Sequence, residues 1–360
     1  MDLDRVRSAC DLTESHVRTI AARRRARTWS KGIRRAWPVA GAALAAGLSV
    51  LVVFLLRQPH PPVSSVRLVA AETAINAGAS DPRVELASTA TVLNGMKHAR
   101  TITLAAFALR GDAQVVRTLE SAAGRGARVS VVLARGFGVY SGQNAQTARE
   151  LAAHGVRVHL VRPSQGHTHI KAAIVDGQVY LSDRNWTSRS ADALVIHDSI
   201  PGDRILIEKA FLGRSAGNDH LWTRKADALS AEADMLATRH SRRLRVSSES
   251  FGGGTEVYRR LMERRKSGDD VLLLVARSEY AHSRPEQEAV SALRQIGVKI
   301  RLSSSNEKFA IDGEAVWMGS ANATAGLPNQ LDFGMVVTSG AIAERLTKQF
   351  DREWDRAVAP

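Results

Sequence analysis

His169 and Lys171 stand two residues apart at the head of HIKAAIV (His169 to Val175), an apolar run of strand length. In an extended chain residues i and i+2 point to the same side, so an imidazole and an ammonium group meet there. Asn185 follows fourteen residues after Lys171, beyond an Asp176-Gly177 pair that reads as a hairpin turn. The returning strand carries the amide back beside the other two. Such a trio suits attack on a phosphodiester. The imidazole can act as nucleophile, and the ammonium and amide can neutralise the non-bridging oxygens.

The chain holds a second, altered copy. His169 to Thr187 lies over Asn306 to Thr324 at an offset of 137, so that Lys171 meets Lys308 and Asn185 meets Asn322. Arg135 to Leu160 lies over Arg277 to Leu302 at an offset of 142. That second overlay matches a strand end, a helix, a glycine stop (Gly155, Gly297) and the next strand, which points to an internal duplication. Strand-length apolar runs such as TITLAAFAL (Thr101 to Leu109) alternate with helix-period stretches such as Asp112 to Gly126, the rhythm of an α/β fold. Each copy continues into an apolar strand headed by an acid, Asp192 or Asp332, and a helix bearing Phe211 or Phe350.

These residues resemble the phospholipase D superfamily, whose signature is H-x-K, four residues, D, six residues and G-S-x-N, present twice in one chain. The first copy supplies His169, Lys171, Asp176 and Asn185, with Ser182 and Asp183 in the Gly-Ser place. The second supplies Lys308, Asp312, Gly319, Ser320 and Asn322, with Asn306 where the family has its second His. The resemblance covers roughly residues 85–357. It implies an α/β fold of two repeated phospholipase D-like α-β-α halves packed as a pseudo-dimer, so that a monomer suffices to build the site. It also implies a phosphohistidine on His169, with Lys171, Asn185, Lys308, Ser320 and Asn322 as catalytic partners and no metal or cofactor. The family's second His protonates the leaving alcohol. Asn306 cannot, because an amide does not exchange protons usefully near neutral pH. His282, in the loop after the strand Val271 to Ala276, and His167, two residues before His169, are the candidates for that proton. Asp176, Asp192 and Asp332 are expected as supporting acids. Asp192 and Asp332 would hold the His or Lys, whereas Asp176, like Asp312, chiefly shapes its turn.

Composition sets the setting. Lys and Arg number 50 against 36 Asp and Glu, a formal net charge of +14, which favours an anionic partner. Residues 1–36 carry ten Lys/Arg against four acids, leaving 40 against 32 for the rest. Trp37 to Leu56 is a run of twenty uncharged residues, long enough at about 1.5 Å per residue to span a bilayer as a helix. The basic flank, including RRRAR (Arg23 to Arg27), predicts a cytoplasmic N-terminus. The one cysteine, Cys10, then lies on the reducing side. The expected organisation is a basic cytoplasmic arm (1–36), a transmembrane helix (37–56), a linker and lead-in (57–84), a first repeat (85–215), a connector (216–240) and a second repeat (241–358). The expected function is a single-pass phosphodiesterase of the cell (inner) membrane with its main domain periplasmic or extracellular. It would act on phospholipid by hydrolysis or transphosphatidylation. The alternatives are an extracytoplasmic nuclease of the same superfamily, with nucleic acid as partner, and a phosphodiester-binding protein of weak or no activity.

Overall fold

The computed structural model describes residues 83–135, 138–161, 167–186, 194–327 and 330–360. The expected basic arm, the transmembrane helix and nearly all of the linker lie outside them, as does Asp192. Among the described residues no helix is long and apolar enough to cross a membrane.

In chain order the first half comprises β1 (Val84–Ala87), α1 (Thr89–His98), β2 (Thr101–Ala106), α2 (Gln114–Gly124), β3 (Arg128–Ala134), α3 (Gly138–Ala153), β4 (Arg157–Val161), β5 (His167–Thr168), β6 (Ala172–Val175), β7 (Gln178–Ser182), β8 (Val195–Asp198) and α4 (Asp203–Phe211). The second comprises β9 (Leu221–Trp222), α5 (Lys225–Ala237), β10 (Arg243–Ser248), α6 (Glu256–Lys266), β11 (Asp270–Ala276), α7 (Arg277–His282), α8 (Arg284–Gln295), β12 (Lys299–Ser303), β13 (Phe309–Asp312), β14 (Ala315–Gly319), β15 (Gln330–Leu331), β16 (Gly334–Thr338) and α9 (Gly340–Arg356).

Two seven-stranded sheets result, ordered β1-β8-β7-β6-β2-β3-β4 and β9-β16-β14-β13-β10-β11-β12. The orders are the same, element for element, so the duplication extends through the fold. Residues 216–240, expected to be a connector, form β9 and α5 instead. These are the edge strand and first helix of the second half, the counterparts of β1 and α1.

The sheets bury both faces, which is why their strands read as near-continuous apolar runs rather than alternating ones. Successive residues of β6 divide between two cores: Ala172 and Ile174 face one, Ala173 and Val175 the other. The first core is shared. It joins Ile170 and Ile174 of the first half to Phe309, Ile311, Met318 and Phe350 of the second. The outer cores lie between each sheet and its own helices, with Leu119 and Leu151 on one side and Leu261 and Leu293 on the other.

The predicted glycine stops are found. Val156 N–H donates to the Leu151 carbonyl and Val298 N–H to the Leu293 carbonyl, both at 3.1 Å, while Gly155 and Gly297 adopt φ of 82° and 89°. This is the Schellman closure, and only glycine takes that conformation without strain. The two hairpins differ. Asp176 (φ 47°) and Gly177 form the first turn, as expected. In the second, Asp312 still pairs with Ala315, so Gly313 and Glu314 make the turn.

Asp176 does not support the catalytic residues. It lies at the far end of β6 from Lys171, where its carboxylate accepts from Arg100 N–H (3.0 Å) and Thr101 N–H (2.8 Å). Those backbone bonds, Thr101's foremost, hold its pKa below the usual carboxylate range. Asp312 ties its hairpin down similarly, through Ser241 Oγ at 2.6 Å and Arg264 Nη1 at 2.8 Å.

Candidate active site

A two-stranded parallel pair, β5 with β15, stitches the halves together and creates the site. His169 N–H donates to the Leu331 carbonyl at 2.8 Å, which sets His169 of the first half against Asp332 of the second. Its ring packs edge-on to Phe107, with centroids 5.0 Å apart. Nδ1 pairs with Asp332 Oδ1 at 2.6 Å, and Lys171 Nζ stands against the ring, 2.9 Å from Nε2 and 3.0 Å from Nδ1.

Asp332 is fully buried. Burial alone would raise its pKa, but the charge and hydrogen bond of His169, with Lys171 behind them, hold it low. Ser320 Oγ donates to Oδ1 at 2.9 Å and Gln330 Nε2 to Oδ2 at 2.7 Å. Ser320 also accepts from Phe333 N–H at 3.1 Å. The serine of the second motif therefore aims the carboxylate, which in turn fixes the tautomer and direction of the imidazole.

The two lysines are pinned alike. Ser182 N–H donates to the Lys171 carbonyl (2.8 Å) and Gly319 N–H to the Lys308 carbonyl (3.1 Å). Both ammonium groups are buried. For Lys171, desolvation lowers the pKa to about 7, against the raising effect of Asp332 and with the help of Lys308. Lys308 Nζ donates to the carbonyls of Asn306 (3.0 Å) and, across the halves, Asp183 (3.2 Å).

The departures from the motif have structural answers. Asp183 occupies the serine place of the first copy and does the serine's work: its Oδ1 accepts from Leu194 N–H at 3.0 Å, as Ser320 Oγ does from Phe333 N–H. Burial pushes its carboxyl up. Asn185 accepts from Ala108 N–H at 3.0 Å and so braces the loop after β2. Asn306 Nδ2 donates to a residue that the motif does not contain, Glu249, at 3.1 Å. The same carboxylate pairs with Lys308 Nζ (3.0 Å) and accepts from Asn322 Nδ2 (3.2 Å). Burial pushes Glu249 up, but Lys308 and then Lys171 hold it down at about 2.

Of the expected residues, the structure thus gathers His169, Lys171, Asp332 and Ser320 around one imidazole, and Lys308, Asn322 and Asn306 around Glu249. His282 ends α7 as an exposed side chain, its Nδ1 2.8 Å from the Ser278 carbonyl of its own helix. His167 pairs through its backbone with Gln330. Among the described residues no group of three His, Cys, Asp or Glu could hold a metal ion. Sequence reasoning missed Glu249, although the offset of 142 carried back along β10 would have found it opposite Phe107.

The duplicated α/β fold thus brings a cross-half His-Asp pair and two buried lysines together at the junction of its halves. The family described as "Cardiolipin synthase, PLD-like domain" matches residues 92–197 and 236–354, one segment on each half. The chain belongs to this family, within the phospholipase D superfamily. The phosphatidylserine synthase of Haemophilus influenzae Rd KW20 shares the fold at a TM-score of 0.58 and 10% identity, over 80% of this chain and 89% of that one. The polyphosphate kinase of Porphyromonas gingivalis does so at 0.55 and 14%, over 82% of this chain but 54% of that one, so this chain spans about half its length. Nuc of Salmonella typhimurium, a phospholipase D family member, aligns with 35% of this chain at 18% identity and a TM-score of 0.32. No curated protein matches the chain.

Proposed function

We propose that the chain is a membrane-anchored phosphodiesterase of the phospholipase D type that works through a phosphohistidine on His169. The observation that carries this reading is the 2.6 Å bond from His169 Nδ1 to buried Asp332, with Lys171 Nζ 2.9 Å from Nε2. The carboxylate keeps Nε2 unprotonated and stabilises the positive ring that forms as Nε2 attacks phosphorus. Lys171 and Lys308 balance the charge on the non-bridging oxygens. The P–O bond to the alcohol then breaks. Water or an acceptor alcohol later displaces the imidazole, giving hydrolysis or transphosphatidylation.

Phospholipid is the substrate class that fits best. The uncharged run Trp37 to Leu56 would hold the site at a bilayer, and the matching family bears the description of a cardiolipin synthase. The basic residues before that run favour a cytoplasmic N-terminus with the catalytic halves outside. The test uses the full-length protein in vesicles of phosphatidylcholine and phosphatidylglycerol, and with single-stranded DNA, beside His169→Ala. Lipid turnover that disappears in the variant supports the proposal. Cleavage of DNA alone would replace it with the nuclease reading. Failure on every substrate would leave the phosphodiester-binding reading, which the occupation of Lys308 by Glu249 favours.

A further inference from the structure

We infer that Glu249 is the proton donor and acceptor of the second half of the site, doing the work that Asn306 cannot do. This rests on the phosphodiesterase reading above and names the group that reading lacks.

Glu249 follows β10 where Phe107 follows β2. In both halves the last residue of that strand pairs with the same neighbour position, Ala106 with Leu133 and Ser248 with Val275. The first half uses the place for a ring that packs on His169, and the second for a carboxylate. That carboxylate stands 3.1 Å from the Asn306 amide nitrogen, beside the point where an imidazole would project. Its side chain keeps 26% of its surface exposed, so it stands at the edge of the site, open to solvent on one side.

Its charge state follows from its partners. Burial favours the protonated form, and Lys308, Lys171 and the Lys308 hydrogen bond reverse that preference in the free protein. A bound phosphodiester brings a negative charge and competes for Lys308 and Asn322. Glu249 then loses its counter-charges, faces an anion, and takes up a proton from water. As the His169 Nε2 lone pair forms the N–P bond, the P–O bond breaks with its electron pair on the alcohol oxygen, which receives the Glu249 proton. In the second step the carboxylate takes a proton from water, the water oxygen bonds to phosphorus, and the P–N pair returns to Nε2.

The experiment compares two leaving groups on the full-length protein in detergent micelles. Phosphatidylcholine expels an alkoxide that needs a proton, whereas p-nitrophenyl phosphocholine expels a stable phenolate that does not. Glu249→Gln should lose about 10²–10⁴-fold more on the alkyl substrate than on the aryl one. Adding Asn306→His to that variant should recover alkyl turnover by about tenfold or more, because an imidazole returns to donate the proton. Equal losses on both substrates would make Glu249 a positioning residue and overturn the inference. So would a Glu249→Gln variant faster than the unmutated protein, which would show a carboxylate that merely blocks the anion site. An unmutated protein inactive on both substrates would overturn the phosphodiesterase reading and this inference together. Activity with unselective losses removes the inference alone.

Discussion

Replacing Asp332 with Asn tests the cross-half pair at constant shape. The carboxylate accepts three hydrogen bonds, from His169 Nδ1 (2.6 Å), Ser320 Oγ (2.9 Å) and Gln330 Nε2 (2.7 Å). An asparagine can keep its oxygen toward His169 and Ser320 and turn its NH2 toward Gln330, whose amide can flip to accept. The fold is therefore retained, and the charge is what disappears. A hydrogen bond involving a charged group contributes about 1.5–3 kcal/mol. The loss falls mainly on the transition state, where the imidazole becomes positive. At about 1.4 kcal/mol per decade, this slows phosphohistidine formation roughly 10- to 150-fold. The assay is the burst of p-nitrophenolate released from p-nitrophenyl phosphocholine in a single turnover, with a melting curve to verify folding. A folded Asp332→Asn protein whose burst rate stays within about threefold of the unmutated one would refute the reasoning, since the charge-assisted bond would then contribute under about 1 kcal/mol.

Three further outcomes are expected. Ser320→Ala removes one of the three donors to Asp332 and should slow the same burst by about 3- to 10-fold, less than Asp332→Asn; a larger effect than that of Asp332→Asn would assign the hydroxyl a direct role on phosphate. Lys171 is charged below about pH 7 and neutral above it, so kcat/KM should fall as pH rises through that value. Lys171→Arg, charged throughout, should lack this alkaline limb in its own pH profile, and a limb that persists would assign the titration to another group. Glu232, buried in α5 with Oε2 lacking a hydrogen-bond partner among the described residues, has its pKa raised by burial to about 8. Between its unfolded value of 4.5 and about 8 the folded state keeps a proton that the unfolded state releases, so stability drains away as pH rises. Glu232→Gln should accordingly add about 1–3 kcal/mol at about pH 9 and little at about pH 5. A melting-temperature gain equal at both pH values would show that the carboxylate's titration is not the cause.

Much of the site was legible because its chemistry is local in sequence. His169 and Lys171 lie together just ahead of β6, and the duplication repeats the plan at Lys308 and Asn322 with Ser320 in register; Asn185, three residues past the end of β7, braces the loop after β2 through Ala108 N–H. The rest depends on contacts that spacing does not encode. His169 and Asp332 are 163 residues apart and meet because β5 pairs with β15, two strands of two residues each. Such short strands carry no periodicity. Glu249 is a lone acid outside any motif, and its meaning comes from the register of β10 beside β13, which Lys308 immediately precedes. Asp183 looks like a defect in a Gly-Ser motif, yet the hydrogen bond it makes to Leu194 is the one a serine would make. Asp176 sits at the motif position, yet its part is the turn-shaping one expected of it, because its hairpin turn lies at the far end of the strand from the lysine. Residues 216–240 read as a connector because a two-residue edge strand is invisible to patterning and the Ala-rich helix α5 has no sharp polar face.

The most direct test of the central claim is the chemical fate of His169 during turnover. Full-length protein should be mixed with p-nitrophenyl phosphocholine, quenched in base where phosphoramidates survive, digested and analysed by mass spectrometry. The account predicts a phosphocholine adduct on the His169 peptide, formed at the rate of the nitrophenolate burst and missing from His169→Ala. Turnover with no adduct at His169, or with the adduct on another residue, would contradict it.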